Sequence, residues 1–277
     1  MRSAATPIAT ALTLLSSLDL GVGNGGVARA LDLQSAGNVS DGGNALLNVT
    51  TLTGVVTSGS VTLSNPLNTV ASVGNFNAAG GFTLGSFNGI SVSGVLNAGT
   101  VSLTAPSITI PGSITTGGSA TGSVTLFAST TTISGTGSIA TGTLTGSALT
   151  SISLTGSNQI GTLGSLTGVT GVTLNSGSAL TVGGTVSAAT GAVSLTSGGL
   201  LTIASGQTVS GTGVTLTGTE VAVTGLVTSL GTVDLIANAS SITETGTILA
   251  GTLIGSSSGS AILSGASADV YKRQAVR

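Results

Sequence analysis

The apolar and polar positions of this chain fall into short triplets of the form apolar, hydroxyl, apolar. They stand at Val61-Thr62-Leu63, Phe82-Thr83-Leu84, Val101-Ser102-Leu103, Val124-Thr125-Leu126 and Ile152-Ser153-Leu154. They continue at Val172-Thr173-Leu174, Val193-Ser194-Leu195, Val214-Thr215-Leu216 and Val233-Asp234-Leu235. Their starts are 21, 19, 23, 28, 20, 21, 21 and 19 residues apart. The 28-residue step from Val124 to Ile152 reads as one turn carrying a loop insertion. A second triplet follows several of the first after seven or eight residues, as at Ile90-Ser91-Val92, Ile108-Thr109-Ile110, Leu180-Thr181-Val182, Leu201-Thr202-Ile203 and Val221-Ala222-Val223. A looser apolar point comes later, at Val186, Val209, Val227 and Ile248.

Side chains alternate along a strand, so the two apolar members of a triplet face one way and the hydroxyl the other. A three-residue strand cannot stand alone. Coiling the chain with one period per rung stacks Val on Val and Leu on Leu at about 4.8 Å, the strand-pairing distance. The Gly, Asn and Ser residues between triplets allow tight corners. The pattern therefore predicts an all-β fold, a parallel β-solenoid with about 20 residues per rung. Each rung would bury about four to six aliphatic side chains, at roughly 1.5–3 kcal/mol each before entropy is subtracted. Ten or so rungs make a rod on the order of 50 Å long.

Charge adds to this picture by its absence. Between Asp41 and Glu220 lie 178 consecutive residues without Asp, Glu, Lys or Arg, and the chain has no His and no Cys. That removes most side chains used for acid–base, nucleophilic or metal chemistry. Charged residues make up 4% of the chain and its net charge is −2, so nucleic-acid binding has no electrostatic footprint. A chain so weakly charged tends to self-associate. At the N-terminus, Arg2, the apolar run Ile8 to Leu18 and the small-x-small site Ala28-Arg29-Ala30 read as a signal peptide over residues 1–30. Residues 31–50 read as an N-terminal cap or linker, 51–265 as the solenoid, and 266–277 as a tail. That tail holds three of the five basic residues. Its composition is foreign to everything before it, as an artefactual extension would be, and no role is assigned to it.

Several motifs have the form of functional sites. Gly21-Val22-Gly23-Asn24-Gly25-Gly26 matches G-x-G-x-x-G, with Asp41 about 18 residues on. No strand–helix context surrounds it, so it reads as a flexible glycine segment. Gly255-Ser256-Ser257-Ser258-Gly259 matches G-x-S-x-G, but a chain without His supplies no usual base, and a polar corner is expected. Glu220, Asp234 and Glu244 are the only acids of the repeat region, and paired carboxylates are what a solenoid glycosidase would use. The triplet alignment puts Asp234 in an outward place, and all three read as solvated surface or edge charges. Thr143-Leu144-Thr145 and Thr215-Leu216-Thr217 match a Thr-x-Thr array locally. No single column repeats Thr-x-Thr on every rung, so the hydroxyls read as scattered. The sequence therefore offers no catalytic, cofactor-binding or metal-ligating residue.

Segments such as Gly80-Gly81-Phe82-Thr83-Leu84, Ala98-Gly99-Thr100-Val101-Ser102-Leu103-Thr104-Ala105 and Ile160-Gly161-Thr162-Leu163-Gly164 resemble filamentous-haemagglutinin-type exoproteins and autotransporter passengers of Gram-negative bacteria. Asn65-Pro66-Leu67-Asn68 is remotely similar to the Asn-Pro-Asn motifs of their secretion domains. The resemblance implies a right-handed parallel β-helix carried to the cell surface through an outer-membrane translocator. It further implies a non-enzymatic rod, secreted or on the bacterial surface, that attaches to a host or biofilm ligand. The alternatives are a solenoid carbohydrate-active enzyme using the acids above, and an ice-binding module.

Overall fold

A computed structural model describes residues 11–14, 18–19, 29–42, 45–117 and 121–269. Among them there is no helix. All 28 strands belong to one continuous system of parallel ladders, wound as a β-solenoid of about 11 turns. Three strands make a rung, as in Gly171–Ser176, Leu180–Val182 and Val186–Ala188. Each strand pairs with its equivalent on the next rung, Val172 with Val193, Leu180 with Leu201 and Val186 with Val209. The first strand of the rung builds a first ladder, and the others a second and a third.

The apolar members of the triplets point inward and stack into columns. Val172, Val193, Val214 and Val233 follow one another in one column, Leu174, Leu195, Leu216 and Leu235 in the next, and all eight are buried. The ladders continue below residue 51: Leu31 lies under Leu52, and Val39 under Val61 and over Leu12. Two large rings sit in the lower core, Phe76 and Phe82, in edge-to-face contact at 4.9 Å.

Register corrects the expected loop between Val124 and Ile152. Val124 is matched by Leu144, 20 residues on, and Ile152 by Ile133, 19 residues earlier. The two triplet series belong to different ladders. Those at 61, 82, 101 and 124 continue through Leu144 and Leu163 to Val182. Those from 152 to 233 continue downward through Ile133, Ile108 and Ile90. The triplets look alike because each sheet needs the same alternation, so the 28-residue step is a hop between sheets. The true insertion lies earlier. One residue, Gly99, separates Ala98 from Thr100, whereas six separate their ladder partners Thr116 and Ser123. Gly117 opens this insertion with φ +49°, one of two described residues with positive φ. Its neck is tied by the buried Thr116 hydroxyl, which donates to Thr141 Oγ1 at 2.8 Å, while Thr141 donates to the Gly122 carbonyl at 3.0 Å.

One corner stacks glycine on glycine. A β-carbon on Gly137 would collide with the carbonyl oxygen of Gly112, and one on Gly156 with that of Gly137. The chain passes itself too closely there for any side chain.

Leu195→Ala should therefore lower the unfolding free energy by about 2–5 kcal/mol. Its outward neighbour Ser194→Ala should change it by less than about 0.5 kcal/mol. Urea titrations followed by circular dichroism check both.

Candidate functional site

The outer faces carry the repeated chemistry, and register assembles it. On the first ladder, Thr51 is followed by Ser72, Ser91, Thr109 and Ser134, then by Ser153, Thr173, Ser194 and Thr215. Nine successive rungs thus present one hydroxyl each in a single outward column, and Asp234 occupies the tenth place. A second column runs from Thr13 through Ser40, Thr62, Thr83, Ser102 and Thr125 to Thr145. A third runs from Ser147 through Thr167, Ser187 and Ser210 to Thr228. A strict Thr-x-Thr array is absent because Ser takes many of the places, but the hydroxyls are not scattered. The ranks escaped the sequence reading because the longest one crosses both triplet series.

The three acids are held apart. Asp234 is half-buried in the outward column, between Thr215 and Ile254 on neighbouring rungs. Burial raises its carboxyl above the ordinary value of 3.8, because removal from water disfavours the charged form. Glu220 opens the strand Glu220–Val223 on the second ladder, level with Leu200, and shares the outward parity of Ala222. Glu244 corrects the expectation of a solvated edge charge, since it is 0% exposed. It ends the strand Ile242–Glu244 in the inward column above Val182, Ile203 and Val223. The backbone N–H of Gly265 donates to its Oε2 at 3.1 Å. The parity of Ile242-Thr243-Glu244, a triplet with an acid in its third place, carried that signal in the sequence. Glu220 and Glu244 therefore face opposite sides of one sheet, and Asp234 sits on another. Two carboxylates facing one glycosidic bond, the minimum for hydrolysis, are not brought together.

The remaining motifs resolve into backbone support. The run Gly21–Gly26 lies outside the described residues. Asp41 ends the strand Asn38–Asp41 and accepts from the backbone N–H groups of Ser64 and Asn65 and from Asn68 Nδ2 at 3.0 Å. In Gly255–Gly259, Ser257 donates to the Gly259 carbonyl at 2.9 Å and Ser258 to that of Asn238 at 2.7 Å. Both are corner hydroxyls. Asn65-Pro66-Leu67-Asn68 is a turn in which Asn68 N–H donates to the Asn65 carbonyl at 3.1 Å and Leu67 N–H to Asn65 Oδ1 at 3.0 Å.

Asn68 belongs to a device that the sequence reading missed. It is fully buried, accepts from Leu47 N–H at 2.8 Å and donates to the Leu63 carbonyl at 3.2 Å. Asn158 repeats this, accepting from Ile139 N–H at 2.9 Å and donating to the carbonyls of Leu154 and Asn175. Eighteen residues after each comes a buried serine, Ser86 or Ser176. Each serine accepts from and donates to the backbone of one residue on the rung below, Val70 or Ile160. Asparagine and serine thus satisfy main-chain groups where the chain turns and the ladder breaks.

One shallow groove of about 230 Å³ crosses four rungs beside the exposed Phe127, Leu149 and Val169, with Ser147, Thr167 and Ala189 between them. It contains no titratable group. Among the described residues no cluster of three His, Cys, Asp or Glu side chains could hold a metal, and no helix is long and apolar enough to cross a membrane. No family model, no curated protein and no solved structure matches the chain.

Two outcomes follow. Asn158→Ala leaves buried backbone groups without partners, at about 1–3 kcal/mol for each group, and should lower the urea midpoint. Asp234 binds its proton more tightly in the folded state than in the unfolded chain, so its charge opposes folding at neutral pH. Asp234→Thr should therefore raise the urea midpoint at neutral pH. The charge-dependent part of that gain should shrink as the pH falls through the raised value and vanish below 3.8, as a series of midpoints against pH would record.

Proposed function

We propose that this chain is a non-catalytic structural rod, displayed outside a bacterial cell as part of a larger adhesin-type exoprotein. The supporting observation is the set of outward hydroxyl ranks, which repeat one weak contact group at every rung of a stiff spacer. Each hydroxyl contributes little alone, since a hydrogen bond exchanged with water nets only about 0.5–1.5 kcal/mol. Repetition on a rigid frame turns many such contacts into avidity. The resemblance to filamentous-haemagglutinin-type and autotransporter passengers supports export, passage through an outer-membrane translocator and a ligand on a host or biofilm surface. The separation of Glu220, Asp234 and Glu244 onto different faces weighs against the enzyme reading.

Beads coated with the purified chain at graded density would test this against cultured epithelial monolayers and biofilm-coated glass. Attachment should rise more steeply than coating density, and should persist in the presence of chelator and in the variant Glu220→Gln/Asp234→Asn. Failure to attach at every density would overturn the proposal. So would release of soluble sugar from the biofilm that the double variant abolishes.

A further inference from the structure

The upper part of the first ladder is a two-file polar lattice. On four successive rungs the outward residues are Ser153 and Thr155, Thr173 and Asn175, Ser194 and Thr196, and Thr215 and Thr217. The inner file is continuous from Ser153 to Thr215, and the outer file is registered from Asn175 through Thr196 to Thr217. Asn175 Nδ2 also donates to the Thr155 carbonyl at 3.3 Å, which ties the outer file to the rung below. Rungs repeat at about 4.8 Å, and the files stand two residues apart along the strand, about 6.6–6.8 Å. None of the seven hydroxyls in this patch forms a side-chain hydrogen bond to another described residue.

Three properties limit what such a face can recognise. It carries no charge, so it neither attracts a counter-ion nor holds the dense hydration shell of an ionised group. It offers no aromatic ring for a sugar to stack on, because residues 128 to 270 contain no Phe, Tyr or Trp. It does offer groups that both donate and accept, as water does, fixed at regular intervals by a backbone that cannot relax rung by rung. Ordering a water layer costs entropy for each molecule held. A lattice that is already rigid lowers that cost for a partner that is itself periodic.

We infer that the face Ser153–Thr217 binds ordered water, and specifically the surface of an ice crystal, through its two files of hydroxyl and amide groups. This goes beyond the adhesive reading and does not depend on it. A rod that holds to ice by this face can carry an attachment function on its other two.

Ice-affinity partitioning of the full chain into a slowly growing ice hemisphere tests the inference, with ice recrystallisation as a second readout. The unmodified chain should be enriched in the ice fraction over a non-binding control protein and should slow recrystallisation. Thr173→Lys/Ser194→Lys, at the centre of the lattice, should fall to the control level with its β-sheet circular dichroism unchanged. Ser187→Lys/Ser210→Lys, on the third ladder, should stay enriched. If the lysine variants lose the β-sheet signal, Thr173→Val/Thr215→Val makes the same comparison, keeping side-chain shape while removing the hydroxyl. Exclusion of the unmodified chain from ice would overturn the inference, as would equal loss in the variants of both faces. Retention on granular cellulose or chitin with exclusion from ice would also overturn it.

Discussion

Parallel, in-register stacking is the constraint from which the rest of this molecule follows. Every residue in a ladder has its equivalent about 4.8 Å above and below it. Whatever stands at one place is therefore repeated along a column, and any repulsion is repeated with it. Like charges stacked at that spacing would oppose one another at each rung. Aliphatic side chains stacked the same way exclude water along the whole axis, as the columns through Val172 and Leu174 do. The 178 uncharged residues are what such columns require, inside as a dry core and outside as neutral hydroxyls.

The same constraint explains where polar side chains enter the interior. Strands satisfy their own backbone across rungs, and corners do so only in part, as where Thr170 N–H donates to the Thr150 carbonyl at 2.7 Å. The buried Asn68, Asn158, Ser86 and Ser176 stand at corners and bond main-chain groups there. Where a corner is tighter still, the column is glycine, as at Gly112, Gly137 and Gly156. Glu244 is the exception, a carboxyl in an otherwise aliphatic column, covered by the backbone of Gly265.

The fold was legible in the sequence because a triplet such as Val193-Ser194-Leu195 states its own parity, and its recurrence states the rung length. What could not be read was the identity of the sheet. Val124-Thr125-Leu126 and Ile152-Ser153-Leu154 obey the same alternation on different faces, and only pairing separates them. The hidden hop concealed the hydroxyl ranks, which become continuous only when Ser91, Thr109 and Ser134 are joined to Ser153. Glu244 was misplaced for a different reason. Charge suggested solvent, and the parity of Ile242-Thr243-Glu244 pointed the other way. Asn68 and Asn158 were invisible because each accepts from a backbone N–H of the rung below, Leu47 or Ile139, which the sequence does not place beside it.

Interchangeable triplets create an ambiguity for the chain as well as for its reader. A coil displaced by one face would bury a similar set of Val, Leu and Ile. The rung between Thr116 and Ser123 departs from that uniformity. It is five residues longer there than the rung below, and the hydroxyls of Thr116 and Thr141 tie the two ends of the insertion together. The coil from Ile108 to Ile133 is therefore 25 residues long, against 18 for the one below it and 19 for the one above, and it makes one corner of the rod unlike its neighbours.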